Sequence, residues 1–308
     1  MGLAIIAPNK SIDEINAWTA VFREINPQLH IQVFPEISDK KAVEVVVLWQ
    51  HPKGILHEFP NLRLICSMGS GVDHIMADYS PDNVPITRIV DPRLTFSMTN
   101  YVVMGILNHH RQILRYIKDN QSKTWDMSQP EIPISVGVMG VGELGGDVLD
   151  KVAGLGFPAI GYGNSPKSNF RHRYFYGDQL QEFLNEVNLI VCLLPLTPKT
   201  VGFLNKDLFR KFKKGTYLIN VARGKHLVEE DLIPAIQAGF ISGALLDVFQ
   251  EEPLPVTHPF WEHDKITVTP HIASITNHKA AAPQIMENYQ NLMADKPLIN
   301  QINKNQGY

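Results

Sequence analysis

The stretch SVGVMGVGELGGDV, residues 135–148, decides the fold. Its apolar run ends in Gly140, Gly142 and Gly145, the pattern G-x-G-x-x-G, ahead of a helical pattern and a second apolar run, PAIGY. In such a strand–helix–strand unit the first glycine permits a tight turn, the second lets the backbone approach a pyrophosphate, and the third lets helix and strand pack closely. The helix N-terminus adds N–H groups and partial positive charge. We predict a dinucleotide site here; a tight turn that holds no ligand is the alternative.

The residues after the second strand of this unit bear on which dinucleotide is bound. Sites that prefer NAD usually place an acid there, which bonds the ribose 2′-hydroxyl. The stretch GYGNSPKSNFRHR, residues 161–173, contains no acid. Asn164, Ser165 and Lys167 can donate hydrogen bonds, and Arg171 and Arg173 follow. This composition would suit a 2′-phosphate and predicts NADP in preference to NAD; a basic surface loop with mixed cofactor preference is the alternative.

Short β-rich runs alternate with helical patterns from one end of the chain to the other. This order favours an α/β fold with parallel sheets. Ser11 and Glu14 form a capping-box pattern at the start of the first helix. Further helices are predicted over 98–118 and 276–294, with a polar, proline-containing loop over 121–133 between the two halves. The predicted strands are 3–7, 31–34, 43–49, 62–68, 134–139, 159–162, 189–194, 216–220, 243–248 and 265–268.

Composition excludes several classes of protein. The 308 residues suffice for one large or two medium domains, with 44% apolar and 19% charged residues. The net charge of -3 gives no general attraction to nucleic acid or to an anionic membrane. Cys66 and Cys192 both lie in apolar runs, so we interpret them as core residues in a reducing, cytoplasmic protein. The N-terminus lacks a signal-peptide pattern, and the twelve histidines show no H-E-x-x-H zinc motif.

Three further segments place chemically capable side chains just beyond predicted strands. Arg223 and His271 each follow a strand, and the segment LLDVFQEEPLP contains Asp247, Glu251 and Glu252. Ligands of open α/β sheets bind at the carboxyl ends of strands, so these side chains can converge on one crevice. Singly, such a histidine is more often structural and such an arginine a surface ion pair. Together they can bind a carboxylate, orient an imidazole and protonate a carbonyl oxygen.

These motifs together resemble the D-isomer-specific 2-hydroxyacid dehydrogenases. The matching stretches appear in the order of that family and extend over nearly the whole chain. Each is weak alone, whereas the set is specific. They are GVMGVGELG, LLPLTPKTVGFLN, LINVARGKHLVEEDL, ALLDVFQEEPLP and VTPHIAS.

The resemblance implies how the domains are arranged. In this family a Rossmann cofactor domain is inserted into a flavodoxin-like substrate domain, which explains why the glycine turn arrives 140 residues into the chain. The implied substrate domain comprises residues 1–98 and 281–308, and the implied dinucleotide-binding domain residues 99–280. The family is typically dimeric. The helix after residue 98 and the loop around Trp125 are therefore the expected contacts of a homodimer.

The resemblance also assigns catalytic roles residue by residue. Arg223 would bind the carboxylate and carbonyl of a small 2-ketoacid. His271 would be the general acid for its reduction. Glu252, directly before Pro253, would hold the imidazole and favour its protonated form, with Glu251 as the competing candidate.

Further positions carried over would bind substrate or cofactor. Gly-Ser-Gly after a strand is also a plausible anion nest, although an ordinary turn would show the same sequence pattern. The expected substrate contacts, besides Arg223 and His271, are Trp49, Met68, Gly69, Ser70 and Gly71. The expected cofactor contacts, besides Arg223 and His271, are Gly140, Val141, Gly142, Glu143, Leu144, Gly145, Asn164, Ser165, Pro166, Lys167, Leu194, Pro195, Thr200, Val221, Ala222, Asp247, Ala273 and Ser274. No metal site is expected.

Two departures from the family pattern stand out. The family often has an acid where this chain has Asn100, and the acid after the second cofactor strand is missing. The second departure agrees with the NADPH-preferring reductases of the family, although those often have arginines at the positions of Asn164 and Pro166. The resemblance implies reduction of glyoxylate and hydroxypyruvate. The alternatives are a reductase for a bulkier 2-ketoacid such as phenylpyruvate, and a catalytically silent dinucleotide-binding regulator.

Overall fold

The computed structural model describes residues 2–76, 78 and 84–303. Within them the strands are β1 (Gly2–Ile6), β2 (His30–Val33), β3 (Val43–Leu48), β4 (Leu64–Ser67), β5 (Ile86–Thr87), β6 (Val136–Met139), β7 (Ala159–Gly163), β8 (Tyr174–Tyr176), β9 (Leu189–Cys192), β10 (Thr216–Asn220), β11 (Ile241–Leu246) and β12 (Ile266–Val268). The α-helices are α1 (Ile12–Ile25), α2 (Asp73–Met76), α3 (Pro92–His110), α4 (Ile113–Ser122), α5 (Glu143–Gly154), α6 (Leu180–Leu184), α7 (Lys206–Phe209), α8 (Glu229–Gln237) and α9 (His278–Met293).

The chain divides into two compact units, Met1–Leu94 with Thr276–Tyr308, and Thr95–Ile275. The predicted boundaries, after residues 98 and 280, lie inside α3 and α9. The division into a substrate domain and a cofactor domain therefore stays a prediction about function. In the part of the chain that the structure describes, no helix combines the length and apolar character needed to cross a membrane.

The described part of the first unit contains one parallel sheet with the strand order β2-β1-β3-β4-β5. This is the flavodoxin-like order, as predicted. Every residue of β1 is buried, because helices or loops cover both faces of the sheet. Leu3 and Ile5 pack on one face with side chains of α1 and α9, while Ala4 and Ile6 pack on the other.

The second unit contains a parallel sheet with the order β12-β11-β10-β9-β6-β7-β8 among its described residues. Counted from β6, this is the Rossmann order 3-2-1-4-5-6 with one further strand beside the sixth, which confirms the predicted fold class. Its two faces carry separate cores. α3 and α5 pack on one face with residues such as Val138, and α6, α7 and α8 pack on the other with residues such as Leu218. Cys66 and Cys192 are buried free thiols in the strands, as predicted.

Three local features show what the sequence pattern captured and missed. The capping box of α1 is present, because Ser11 Oγ accepts from the Glu14 N–H and Glu14 Oε2 accepts from the Ser11 N–H. The short edge strands β5 and β8 were missed, since two or three residues carry no usable periodicity. The single helix predicted over 98–118 is wrong. The backbone of Gln112 adopts a left-handed conformation, with φ of 53°, and divides this region into α3 and α4.

The glycine turn between β6 and α5 is built by close backbone contacts. Gly140 has φ of 95°, and a Cβ atom there would lie 2.4 Å from the carbonyl oxygen of Leu193. A Cβ atom on Gly145 would lie 2.1 Å from the carbonyl oxygen of Gly140. Gly140 and Gly145 therefore let the first turn of α5 pack against the end of β6. Gly146, the next residue of α5, has open space where its Cβ would be.

We expect alanine at Gly145 and at Gly146 to change stability in opposite directions. Gly145→Ala should lower the free energy of unfolding by about 1–3 kcal/mol, because the new methyl group collides with backbone that cannot rotate away. Gly146→Ala should raise it by about 0.5–1 kcal/mol, because alanine is the better helix former. Urea unfolding of the two variants beside the unsubstituted protein measures both changes. Equal effects of the two substitutions would contradict this account of the turn.

Candidate active site

Three neighbouring strands of the second unit end at the same edge of its sheet, and candidate site residues follow each of them. Asn220 of β10 pairs with Leu246 of β11, which pairs with Val268 of β12, so the three strands end at one level. Arg223, Asp247 and His271 follow these ends within three residues. The expected convergence of the three segments is therefore present within this unit.

The loops after β10 and β11 touch backbone to backbone. A Cβ atom on Gly224 would lie 1.8 Å from the carbonyl carbon of Phe249, so only glycine fits there. The Gln250 side chain then donates to the carbonyl of Leu227 at 2.8 Å. These contacts hold Arg223, the residue before Gly224, beside the segment that carries Glu252.

A buried histidine that the sequence analysis missed supports the same loop. His226 is fully buried, with Nδ1 lying 3.1 Å from the carbonyl oxygen of Arg223 and Nε2 lying 3.3 Å from that of Pro195. It therefore ties the loop after β10 to the one after β9. Histidine in a loop carries no signal that separates such a bridge from a surface residue.

Glu252, and not Glu251, contacts the candidate general acid. His271 Nδ1 lies 2.8 Å from Glu252 Oε2, and Glu252 Oε1 accepts from the N–H of Phe249 at 3.0 Å. Glu251 is exposed. The imidazole and its carboxylate keep 29% and 25% of their side-chain surface exposed, so a ligand can reach the ring.

Opposing effects determine the charge of Glu252. Burial raises the pKa of its carboxyl group, whereas the hydrogen bond and charge of His271, the Phe249 N–H and the charge of Arg223 lower it. The lowering effects win, so the pKa of Glu252 lies below its ordinary value. The group is therefore ionised at neutral pH and can accept a hydrogen bond from the imidazole.

Asp247 lies beneath the loop that follows β12. Its Oδ1 accepts from the N–H of Ile272 at 2.8 Å, and its Oδ2 accepts from the N–H of Ala273 at 2.7 Å. The hydroxyl of Thr269 also donates to Oδ1, at 2.7 Å. Asp247 thus organises the loop of His271; its expected contact with the cofactor stays a prediction.

The turn after β6 fits the pyrophosphate of a dinucleotide. Gly142 is the N-cap of α5, no side chain caps that helix, and nothing lies within 4 Å of the position a Cβ would take on Gly142. Open space and uncapped helix N–H groups are what a phosphate requires. β6 lies between β7 and β9, where the strand order reverses, and dinucleotides bind at such switch points.

The other expected cofactor residues lie around the same edge. The Thr200 hydroxyl donates to the carbonyl of Pro195 at 2.7 Å, which orders the loop after β9. Among the rest, four are buried and four are half-buried or exposed. The buried ones are Val141, Val221, Ala222 and Ala273, and the others are Glu143, Leu144, Leu194 and Ser274.

The prediction of a phosphate site in the basic stretch after β7 needs a correction. Asn164, Ser165, Pro166 and Lys167 are exposed, as a phosphate site requires. Arg171 and His172, however, bond to Asp150, and Arg173 bonds to Glu186. The charges of the two arginines are thus offset by carboxylates distant in sequence, which leaves Lys167 as the leading cation for a 2′-phosphate.

The prediction of backbone donors in the expected substrate loop of the first unit also needs a correction. The N–H of Met68 donates to the carbonyl of Leu48, and that of Gly69 donates to Ser67 Oγ. Neither N–H is therefore directed at a ligand, and the proposed backbone donors reduce to Ser70 and Gly71.

Trp49 packs against this loop. A Cβ atom on Gly69 would lie 2.9 Å from its Cζ3, and its ring centroid lies 5.4 Å from that of His74. The described residues contain no group of three or more His, Cys, Asp or Glu side chains arranged to hold a metal ion.

Known proteins match this chain in sequence and in structure. Residues 103–273 match the family model "D-isomer specific 2-hydroxyacid dehydrogenase, NAD binding domain". A glyoxylate/hydroxypyruvate reductase A of Yersinia enterocolitica is 34% identical over 304 residues, 96% of this chain and 97% of that protein. One of Photorhabdus laumondii is 37% identical over 284 residues, 89% of this chain and 90% of its own length.

Two solved structures share the whole fold. A D-isomer-specific 2-hydroxyacid dehydrogenase of Xanthobacter autotrophicus, in complex with NADPH and MES, has a TM-score of 0.90 at 35% identity and covers 100% of this chain and 99% of its own. An NADPH-dependent glyoxylate/hydroxypyruvate reductase of Sinorhizobium meliloti, in complex with NADP and sulfate, has a TM-score of 0.91 at 31% identity with the same coverage. The chain therefore belongs to the D-isomer-specific 2-hydroxyacid dehydrogenase family and is an oxidoreductase that uses a nicotinamide dinucleotide.

Proposed function

We propose that the protein reduces small 2-ketoacids, glyoxylate to glycolate and hydroxypyruvate to D-glycerate, with NADPH in preference to NADH. The observation that carries the proposal is the contact of 2.8 Å between His271 Nδ1 and Glu252 Oε2, beside the loop of Arg223. The names of the curated relatives support the choice of substrates.

The chain's own residues have distinct tasks in this reaction. A nicotinamide cofactor held at the turn of Gly140 and Gly142 would supply the hydride for the keto carbon. Arg223 binds the substrate carboxylate and offsets the charge that develops on the keto oxygen. His271 donates a proton to that oxygen, and Glu252 holds the ring for the transfer. In the first unit, Ser70 and Gly71 offer backbone N–H groups that suit a carboxylate, and Trp49 packs against the same loop.

The cofactor preference has its support in the exposed stretch after β7. Lys167 Nζ lies 5.7 Å from the centroid of the Phe170 ring, which helps to hold the cation near the loop. The arginines that follow have carboxylate partners. We propose that Lys167, together with Asn164 and Ser165, binds the 2′-phosphate of NADPH.

We further propose that two copies of the chain form a homodimer in the cytoplasm. On α4, Ile113, Leu114 and Ile117 remain 40%, 42% and 49% exposed, and Trp125 and Met127 in the following loop are 90% and 77% exposed. An apolar surface of this kind on one face is typical of an interface between protein chains. The two buried free thiols suit a reducing compartment.

Loss of the imidazole should abolish most turnover. In His271→Ala we expect kcat for glyoxylate and hydroxypyruvate to fall about 100-fold or more, since that is the usual effect of removing an acid–base group. The loss of NADPH absorbance at 340 nm measures the rate, and His263→Ala, outside the proposed site, is the control. Near-normal turnover in folded His271→Ala would refute the proposed role of His271 as general acid. Turnover of phenylpyruvate alone would favour a bulkier substrate, and no turnover of any ketoacid by the unsubstituted protein would favour a silent regulator.

The Glu252 carboxylate should support the reaction into the acid range. Because the pKa of Glu252 is lowered, its negative charge is present throughout the neutral range and is lost only as pH falls below the ordinary range of a carboxyl group. In Glu252→Gln this charge is absent at every pH, and we expect kcat to be lower across the whole neutral range, without the acid-side loss that protonation of Glu252 causes in the unsubstituted protein. A pH–rate profile tests this, with Glu251→Gln as the matched control; identical profiles for Glu252→Gln and the unsubstituted protein would refute it.

Lys167 should distinguish the two cofactors. We expect Lys167→Ala to raise KM for NADPH about tenfold or more, because a charge-assisted hydrogen bond contributes about 1.5–3 kcal/mol, while KM for NADH stays unchanged. Arg171→Ala is the matched control, because the guanidinium of Arg171 already pairs with Asp150. A larger effect of Arg171→Ala than of Lys167→Ala on NADPH would reverse the assignment.

A further inference from the structure

The backbone that presents His271 adopts a conformation that non-glycine residues seldom adopt. His271 has φ of 54°, in the left-handed region. Such a conformation costs about 1–3 kcal/mol and persists only where surrounding contacts hold it. Two such contacts come from the His271 N–H, which donates to the carbonyl oxygens of Asp247 at 2.9 Å and Thr269 at 3.0 Å.

The Asp247 side chain holds the next two residues of the same loop. It accepts from the N–H groups of Ile272 and Ala273, one on each carboxylate oxygen. Asp247 is only 1% exposed, so water cannot readily replace these partners. The position of the His271 backbone therefore depends on the Asp247 carboxylate.

A chain of two hydroxyl groups leads from α3 to this carboxylate. Thr269 Oγ1 donates to Asp247 Oδ1 at 2.7 Å, which uses the one hydroxyl proton of Thr269. Tyr101 of α3 lies with its hydroxyl 2.5 Å from Thr269 Oγ1. Because the proton of Thr269 points to Asp247, the Tyr101 hydroxyl is the donor in the second bond.

We propose that Tyr101 and Thr269 are positioning residues for the reaction: their hydroxyl chain orders the Asp247 carboxylate and thereby holds the backbone that presents His271 to Glu252. The inference rests on the proposed role of His271 as general acid. It adds Tyr101 and Thr269 to the residues on which the proposed reaction depends.

The electrostatics of the network agree with this direction of donation. Burial raises the pKa of Asp247, and the bonds from Thr269, Ala273 and Ile272 and the charge of His271 counter that rise without cancelling it. Among the described residues, the titratable groups that act on Asp247 are His271, in the loop after β12, and Tyr101, in α3. Burial raises the pKa of Tyr101 to about 12, so its hydroxyl remains a donor at neutral pH. Loss of the Thr269 hydroxyl would raise the pKa of Asp247 further and bring its protonation closer to neutral pH.

Substitutions at Thr269 separate the effect of its hydroxyl group from the effect of its packing. We expect Thr269→Val, which keeps the shape, to lower kcat for hydroxypyruvate about tenfold to 100-fold, the scale of a misplaced catalytic group. The loss should deepen as pH falls, because the Asp247 carboxylate becomes protonated. Thr269→Ser, which keeps the hydroxyl, should restore both the rate and the pH profile. Tyr101→Phe should change the rate and the pH profile in the same direction as Thr269→Val, by a smaller amount. Tyr217 is a buried tyrosine of the same core, and Tyr217→Phe should leave the rate and the pH profile unchanged.

Amide hydrogen exchange of residues 271–274 in the free protein provides a second readout. Faster exchange in Thr269→Val than in Thr269→Ser is the expected result. Equal exchange, an unchanged pH profile in folded Thr269→Val, or equal impairment of the valine and serine variants would each overturn the inference. Failure of the unsubstituted protein to reduce any ketoacid would instead refute the proposed function, and the exchange experiment alone would then decide whether the hydroxyl chain holds the loop.

Discussion

The parallel register of β10, β11 and β12 is the constraint on which the candidate active site depends. Since these strands end at one level, residues dozens of positions apart in the chain emerge at the same edge of the sheet. Loops can then bring an arginine, a carboxylate and an imidazole together over short spans. A slip in this register would displace the loops relative to one another and separate His271 from Glu252.

Close backbone approach is the second requirement, and glycine satisfies it at three points of the second unit. Gly140 and Gly145 pack the first turn of α5 against β6, whereas Gly224 lets the loop of Arg223 contact the backbone of Phe249. Gly142 is different, because no protein atom occupies the space beside it. Within one nucleotide-binding motif, then, two glycines serve the fold and one leaves room for a ligand.

Two carboxylates of the site respond to burial in opposite ways. Burial raises the pKa of both Asp247 and Glu252, but the charged neighbours of Glu252, His271 and Arg223, reverse the effect there. Asp247 relies mainly on neutral donors, so its pKa stays raised. The environment thus suits Glu252 to an electrostatic task at the imidazole, and Asp247 to holding the loop beneath it.

The sequence by itself determined the alternation of strands and helices, the glycine turn, and the positions of Arg223 and His271 just beyond strands, because periodicity and turn chemistry are local properties. Only the tertiary structure decided which side chains pair. It offset the charges of Arg171 and Arg173 with distant carboxylates and joined Tyr101 to Thr269, which lies 168 positions away in the chain. The contact of Glu252 with His271 was expected from the family resemblance, and the structure supplied its distance. Such pairings depend on distances of a few ångströms between residues far apart in the chain, and no pattern along the sequence encodes those distances directly.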